Sequence, residues 1–157
     1  MKSTVKELLD TKGNNVYTIS IDETVYEGLV TMSKKDVGAL LVIDSDDKLA
    51  GIFSERDYAR KIVLLGKASK ETRIGDMMSK EITVVQPSNT IQECLHIMTQ
   101  KKVRHLPVVD DKSLLGIVSI GDAVNRVISD QEATIHDLED YIYGRAYGAQ
   151  VEITKKS

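Results

Sequence analysis

One cysteine, Cys94, stands in the whole of this 157-residue chain, which excludes an internal disulfide and a cysteine-based zinc site. It follows Ile91 at helical spacing and reads as a small core residue rather than a reactive thiol. Long apolar runs are missing too: none reaches the length that spans a bilayer, and the N-terminus lacks the basic-then-apolar pattern of a secretory signal. The expectation is a soluble, cytoplasmic protein with no membrane partner. Basic charge is not in excess, with 21 Lys and Arg against 24 Asp and Glu and a net charge of −3, and the cations are scattered. That balance argues against a nucleic-acid binder. Low-complexity tracts are absent, and so are a nucleophile elbow, metal-ligand spacing and a Walker loop. His96 and His136 stand alone in helical segments. Neither catalysis nor a metal site is expected.

What the chain does have is itself, twice. Gly51-Ile52-Phe53-Ser54-Glu55-Arg56-Asp57 returns as Gly116-Ile117-Val118-Ser119-Ile120-Gly121-Asp122, 65 residues later. Upstream, Thr24, Val25, Leu29 and Met32 align with Thr90, Ile91, Leu95 and Met98, and the run from Val37 to Asp44 aligns with Val103 to Asp110, at an offset of 66. The lead-ins match more loosely at an offset of 69, with Val5, Leu8 and Leu9 over Ile74, Met77 and Met78. A repeat means one folding unit used twice, so any site that it builds can also occur twice. One copy alone would bury little, and the two are expected to share a core.

Each copy reads as strand, helix, strand, strand, helix, an α/β (α+β) arrangement. In the first, Val16 to Ile21 is β-rich, and Thr24 can cap a helix with Val25, Leu29 and Met32 on one face. Ala39 to Ile43 is a short apolar run suited to a strand buried on both faces. Asp44 to Lys48 is turn chemistry, followed by a strand at Gly51 to Phe53. Ser54 opens a second helix with Tyr58, Ile62 and Leu65 on one face. The second copy gives a strand at Thr83 to Val85, a helix from Thr90, strands at Leu106 to Val109 and Gly116 to Val118 around the turn Asp110-Asp111-Lys112, and a helix from Ser119. A separate terminal helix is expected over Glu132 to Tyr143, with the stripe Ile135, Leu138 and Ile142. The divisions are then 1–66 for the first repeat, 67–73 for a linker, 74–130 for the second repeat and 131–157 for a C-terminal helix and tail.

The pairs Ser54-x-x-Asp57 and Ser119-x-x-Asp122 have two readings. As Ser followed three residues later by an acid, each is a capping box that closes a helix start. Equally, a hydroxyl and free amides at a helix N-terminus suit a phosphate or ribose oxygen, an aspartate one turn on suits a ribose diol, and the glycine in front clears the ligand's path. Both roles are compatible at one helix start, and the glycine reads equally as a turn or strand-packing residue.

The tandem G-h-x-[ST]-x-x-D, the run from Val103 to Asp110 and the element order together resemble a pair of CBS domains, a Bateman module, over roughly Val5 to Ile128. The tail lies outside the resemblance, as in stand-alone CBS-pair proteins. The resemblance implies two repeats related by a pseudo-two-fold axis, with two clefts that each join the motif of one repeat to the early strands of the other. It implies nucleotide-binding residues Ser54, Arg56 and Asp57 with Ile82, Thr83, Val103, Arg104 and His105 in a cationic cleft. There Asp57 takes the ribose hydroxyls, Ser54, Arg56, Arg104 and His105 the phosphate, and the apolar residues the adenine.

The other cleft would take Ser119 and Asp122 with Val16, Tyr17, Val37, Gly38 and Ala39. Gly38, Ala39 and Gly121 stand there in place of Arg104, His105 and Arg56, so it lacks the phosphate-holding charges. On residue type alone, Arg56 and Arg104 also fit solvated surface positions and His105 a structural one, while Tyr17 and Tyr58 fit packing better than base stacking. The implied activity is a non-catalytic sensor with no required cofactor. Its ligand would be AMP or another adenine nucleotide (ADP, ATP, NAD), and it would act as a homodimer on an unknown regulated protein. The alternatives are a sensor for NAD(H) or S-adenosylmethionine, or a structural dimerisation module with empty clefts.

Overall fold

The computed structural model describes residues 2–144. The elements are α1 (Val5–Lys12), β1 (Thr18–Ser20), α2 (Val25–Lys35), β2 (Ala39–Ile43), β3 (Leu49–Ser54) and α3 (Glu55–Asp57), which runs on as a π-helix over Tyr58–Val63. There follow α4 (Ile74–Met77), α5 (Ile91–Lys101), β4 (His105–Asp110), β5 (Ser113–Ser119) and α6 (Ile120–Glu139), which runs on as a π-helix over Asp140–Gly144. One sheet has the order β1-β2-β3, with β1 parallel to β2 and β3 antiparallel to it; the second is the antiparallel pair β4-β5.

Local chemistry sets the boundaries. Thr24 and Thr90 accept hydrogen bonds from the amides of Glu27 and Glu93 and cap α2 and α5. Both helices end on a residue in the left-handed region, Asp36 and Lys102. At the β2–β3 turn, the Asp44 carboxylate accepts from the amides of Asp46 and Lys48 at 2.9 and 3.0 Å.

The two cores cross the repeat boundaries. Val5, Leu8 and Leu9 of α1 are buried with Val85, Ile91, Cys94, Met98, Leu106, Val108, Val118 and Ala123 of the second repeat. Ile74 and Met78 are buried with Ile19, Val25, Met32, Leu40, Val42, Phe53 and Ile62 of the first. Each lead-in therefore fills the other repeat's core. Backbone bonds repeat the exchange: the Val5 amide donates to Asn89 O and Ile91 to Ser3 O, while Val25 donates to Thr72 O and Ile74 to Glu23 O, all at 2.8–2.9 Å. The glycines of the two heptads are its contact points. A Cβ on Gly51 would stand 2.6 Å from Met78 Sδ and 2.7 Å from Ser79 O, and one on Gly116 would stand 3.0 Å from Leu9 Cδ2. Their small size makes room for the opposite lead-in, as the strand-packing reading of these glycines expects.

Four expectations are revised. The strand expected over Thr83 to Val85 is a single parallel bridge, Val85 to Val108. In the first repeat the Leu41 amide donates to Tyr17 O at 3.1 Å; the residue aligned with Leu41 is Pro107, which has no amide hydrogen to give Thr83 O, so the ladder cannot extend. The strand expected from Val16 shortens to Thr18–Ser20. Leu65 is not on a buried face but 63% exposed, because the π-helical register (Leu64 N to Ala59 O, Lys67 N to Ile62 O) widens the turn and rotates it away from Ile62. The terminal helix is no separate element either: α6 crosses residue 130 unbroken. Residues 145–157 of the expected tail lie outside the described residues.

Leu9→Ala and Met78→Ala should each cost about 2–5 kcal/mol in denaturant unfolding. Because their residues lie in separate clusters, the double variant should be additive within about 0.5 kcal/mol. A near-neutral Leu9→Ala would mean that α1 does not fill the second core.

Candidate functional site

The exchange of lead-ins places chain from the second repeat beside the first repeat's motif. After α4, Ser79 pairs with Ile52 on β3, amide to carbonyl in both directions at 2.9 and 3.0 Å. The segment from Ser79 to Thr83 therefore runs past Ser54 and Asp57. Opposite it come Lys101 and Lys102 from the end of α5, then Val103, Arg104 and His105 leading into β4. Together they wall a cavity of about 840 Å³, within the range usual for small-ligand sites. All eight residues expected in the cationic cleft, Ser54, Arg56, Asp57, Ile82, Thr83, Val103, Arg104 and His105, line it.

Both capping boxes are present. Ser54 Oγ accepts from the Asp57 amide at 3.1 Å, and Asp57 Oδ2 accepts from the Ser54 amide at 3.0 Å and from Ser54 Oγ at 3.1 Å. Asp57 Oδ1 accepts from Ser79 Oγ at 3.2 Å and lies 3.4 Å from Lys61 Nζ. Capping thus occupies mainly one oxygen, and the other faces the segment from the second repeat, with lone-pair capacity beyond these contacts. Ser119 and Asp122 repeat the box at 3.0 and 3.1 Å.

Seven cations line the cavity, Arg56, Arg60, Lys61, Lys80, Lys101, Lys102 and Arg104, against the three carboxylates Glu55, Asp57 and Glu81. An excess of four positive charges gathers in one cleft of a chain whose net charge is −3, and low-dielectric walls focus such a field. His105 adds no charge at neutral pH: burial pushes its pKa down, the charges of Lys12 and Arg104 push the same way, and Asp122 opposes them only in part.

The second set is not gathered in the same way. Val37 and Gly38 line a hollow of about 630 Å³ with Leu29, Met32, Ser33, Asp36, Glu55 and Tyr58, all of the first repeat. Gly38 also borders the cationic cavity, where a Cβ on it would face the His105 imidazole at 3.7 Å. Ala39 is buried, and Tyr17 packs on the first core with Lys35 above its ring. At Asp122 stands a residue absent from the sequence expectations. Lys12, carried there by α1, donates to Asp122 Oδ2 at 2.5 Å and to Ile117 O at 2.7 Å. Burial pushes the Asp122 pKa up, but the Lys12 hydrogen bond, the Ser119 amide and the Lys12 charge outweigh it and hold the carboxyl below its ordinary range.

Sequence reasoning also passed over Arg60, Lys61, Ser79, Lys80, Lys101 and Lys102. The lead-in offset of 69 held part of the missing signal, since it sets Lys12 over Glu81, next to Ile82. Cys94 is buried in the second core as expected, and burial first, then the Glu93 charge, raises its thiol to about 11.

A family model described as "CBS domain" matches residues 5–64 and 74–129. Among curated proteins, CBS domain-containing protein CBSX3, mitochondrial, of Arabidopsis thaliana is 36% identical over 150 residues, covering 90% of this chain and 73% of its own length. Among solved structures, a protein with CBS domains from Burkholderia ambifaria matches with a TM-score of 0.78 at 43% identity, over 82% of this chain and 96% of its own. The hexameric CBS-CP12 protein of bloom-forming cyanobacteria matches with a TM-score of 0.72 at 25% identity, over 96% of this chain and 92% of its own. No helix of the described residues is long and apolar enough to cross a membrane.

Replacing Lys12 by methionine should raise the Asp122 pKa, because burial is then opposed only by the Ser119 hydrogen bonds, and carboxyl titration by NMR reads this directly. A group with a depressed folded pKa contributes stability above its ordinary value, 3.8 here, and loses it as pH falls through the folded value. The wild type's lead over Lys12→Met, about 1 kcal/mol or less for so exposed a pair, should therefore shrink in that acid window. An unmoved Asp122 titration would mean that Lys12 does not hold it.

Proposed function

This chain belongs to the CBS-domain family, and on that premise we propose that it is a non-catalytic regulatory module that binds an adenine nucleotide between its repeats and signals occupancy to a partner protein. The observation that carries the reading is the single cavity in which Ser54, Arg56 and Asp57 of the first repeat meet Ile82, Thr83, Val103, Arg104 and His105 of the second under a positive excess. Asp57 Oδ1 takes the ribose hydroxyls, releasing Ser79 or Lys61. Arg56 and Arg104, with Ser54, take the phosphate through charge-assisted bonds, and Ile82, Thr83 and Val103 flank the base. AMP is the simplest ligand, and ADP, ATP or NAD fit the same charge logic. S-adenosylmethionine, which carries a sulfonium cation, fits a cationic cavity less well.

Because the cavity wall comes from both repeats, occupancy biases how they sit together, by no more than the ligand's differential affinity for the two arrangements. The homodimeric state, the regulated protein and a cytoplasmic setting belong to the same proposal. The clefts are unequal in it: with Lys12 on Asp122 and glycines at 38 and 121, the second has no cation of its own for a phosphate.

Adenine nucleotide at about a hundredfold over its Kd should stabilise the protein by roughly 2.7 kcal/mol, or about 5–11 °C of melting temperature for a chain of this size. No shift with any adenine nucleotide at millimolar concentration removes the reading. In calorimetric titration, Asp57→Ala should weaken AMP by about ten- to a hundredfold, as expected of a lost charged hydrogen-bond partner, while Asp122→Ala leaves the tight event nearly unchanged. If Asp57 only caps its helix, its loss costs about 1 kcal/mol of stability and no affinity.

A further inference from the structure

The family match ends at residue 129, yet α6 runs on to Glu139. From Gln131 to Ile142 every residue is exposed, on all faces of the helix. Its first half is anchored: Ala123 is buried, and Arg126 and Asp130 are tied to Ser3 at 2.9 and 2.7 Å. The second half projects. A solvent-surrounded helix of this length is marginal on its own in water, and helices gain most of their stability by packing an apolar face.

That face is a heptad seam. Val124, Ile128, Gln131, Ile135 and Leu138, all within α6, follow one another at alternating intervals of four and three residues, the spacing of coiled-coil d and a positions. Its aliphatic members are 41–56% exposed. Isoleucines occupy both a positions within α6, 128 and 135, and Leu138 a d position, a choice that favours two strands. A strict heptad stripe is narrower than the face a helix turns to a globular core, and it is complementary to another copy of itself.

Polar residues decide the orientation. The e positions carry Asn125, Glu132 and Glu139, whereas the g positions within α6 carry Val127 and Thr134. In a parallel pair e meets g, so no like charges face each other; in an antiparallel pair e meets e, and the glutamates would repel. Gln131 is the one amide in the seam. Parallel in-register pairing sets it against its own copy, where two amides can bond, while antiparallel pairing would bury it against aliphatic side chains without a partner.

We propose that the projecting half of α6, from Ile128 to Glu139, pairs with the same segment of a second copy as a parallel, in-register two-stranded coiled coil that extends beyond the CBS repeats. This names the contact surface of the homodimer in the reading above and is independent of its nucleotide site. Anchoring of the first half orders the helix in advance and lowers the cost of pairing.

The test uses the full chain and light scattering at micromolar concentration. Wild type should give twice the 17.4 kDa chain mass. Ile135→Asp with Leu138→Asp should give a single chain that still melts cooperatively, and Gln131→Leu should tighten the dimer by roughly tenfold or more, since an apolar d residue replaces the amide. Gln131→Cys should form a covalent dimer on mild oxidation, with Cys94 buried and out of reach. A dimer that survives the double substitution together with no crosslink at 131 overturns the seam and leaves the homodimer standing. A monomeric wild type overturns both, and nucleotide titration of that monomer still tests the ligand reading separately.

Discussion

Everything else in this molecule depends on the exchange of the two lead-ins. Leu9 under Gly116 and Met78 under Gly51 lock α1 into the second core and the segment after α4 into the first. Neither repeat can complete its core without the other, so the two fold as one unit despite the repeated sequence. The exchange also brings Ser79 to the edge of β3 and Lys12 to the start of α6. Both sites therefore take their character from residues that belong, in sequence, to the opposite repeat.

Pseudo-symmetry of backbone and asymmetry of charge coexist because they are set at different levels. The Glu55 amide donates to Gly38 O and the Ile120 amide to Arg104 O, at 3.0 and 2.8 Å, so both helix starts are held alike. Side chains at matched positions then diverge: Arg56 against Gly121, Arg104 against Gly38, His105 against Ala39, Glu81 against Lys12. One cleft collects cations at its walls. In the other a single lysine takes the aspartate, and a pair between an ammonium and a carboxylate leaves little field for an anionic ligand. His105 stands between them, kept neutral by burial and by the cations on both sides.

Much of this was legible along the chain. The repeat, the caps at Thr24, Thr90, Ser54 and Ser119 and the apolar strand Ala39 to Ile43, buried from Ala39 to Val42, follow from local periodicity and side-chain chemistry, and the structure has them all. Where the chain misled, a local rule met a constraint from elsewhere. Thr83 to Val85 has strand composition, but its neighbour offers Pro107 and one ladder bond is lost. Leu65 keeps the α-helical interval from Ile62, but the π-register turns it outward. Ile135, Leu138 and Ile142 were visible as a stripe, whereas its continuity with Val124 and Ile128 on one helix was not.

By itself, then, the sequence determined two copies of one unit, the serine–aspartate boxes that cap its helices, and the membership that those motifs declare, because each of these is written in spacings of a few residues. Tertiary structure alone decided that Lys12 meets Asp122, 110 residues away, that seven cations from both repeats converge on one cavity, and that the apolar seam of α6 is exposed among the described residues. The physical reason is that local spacing specifies which face of an element is buried, while charge pairing across a cleft depends on which element is packed against which, and that was settled by the two glycines that admit the opposite lead-in.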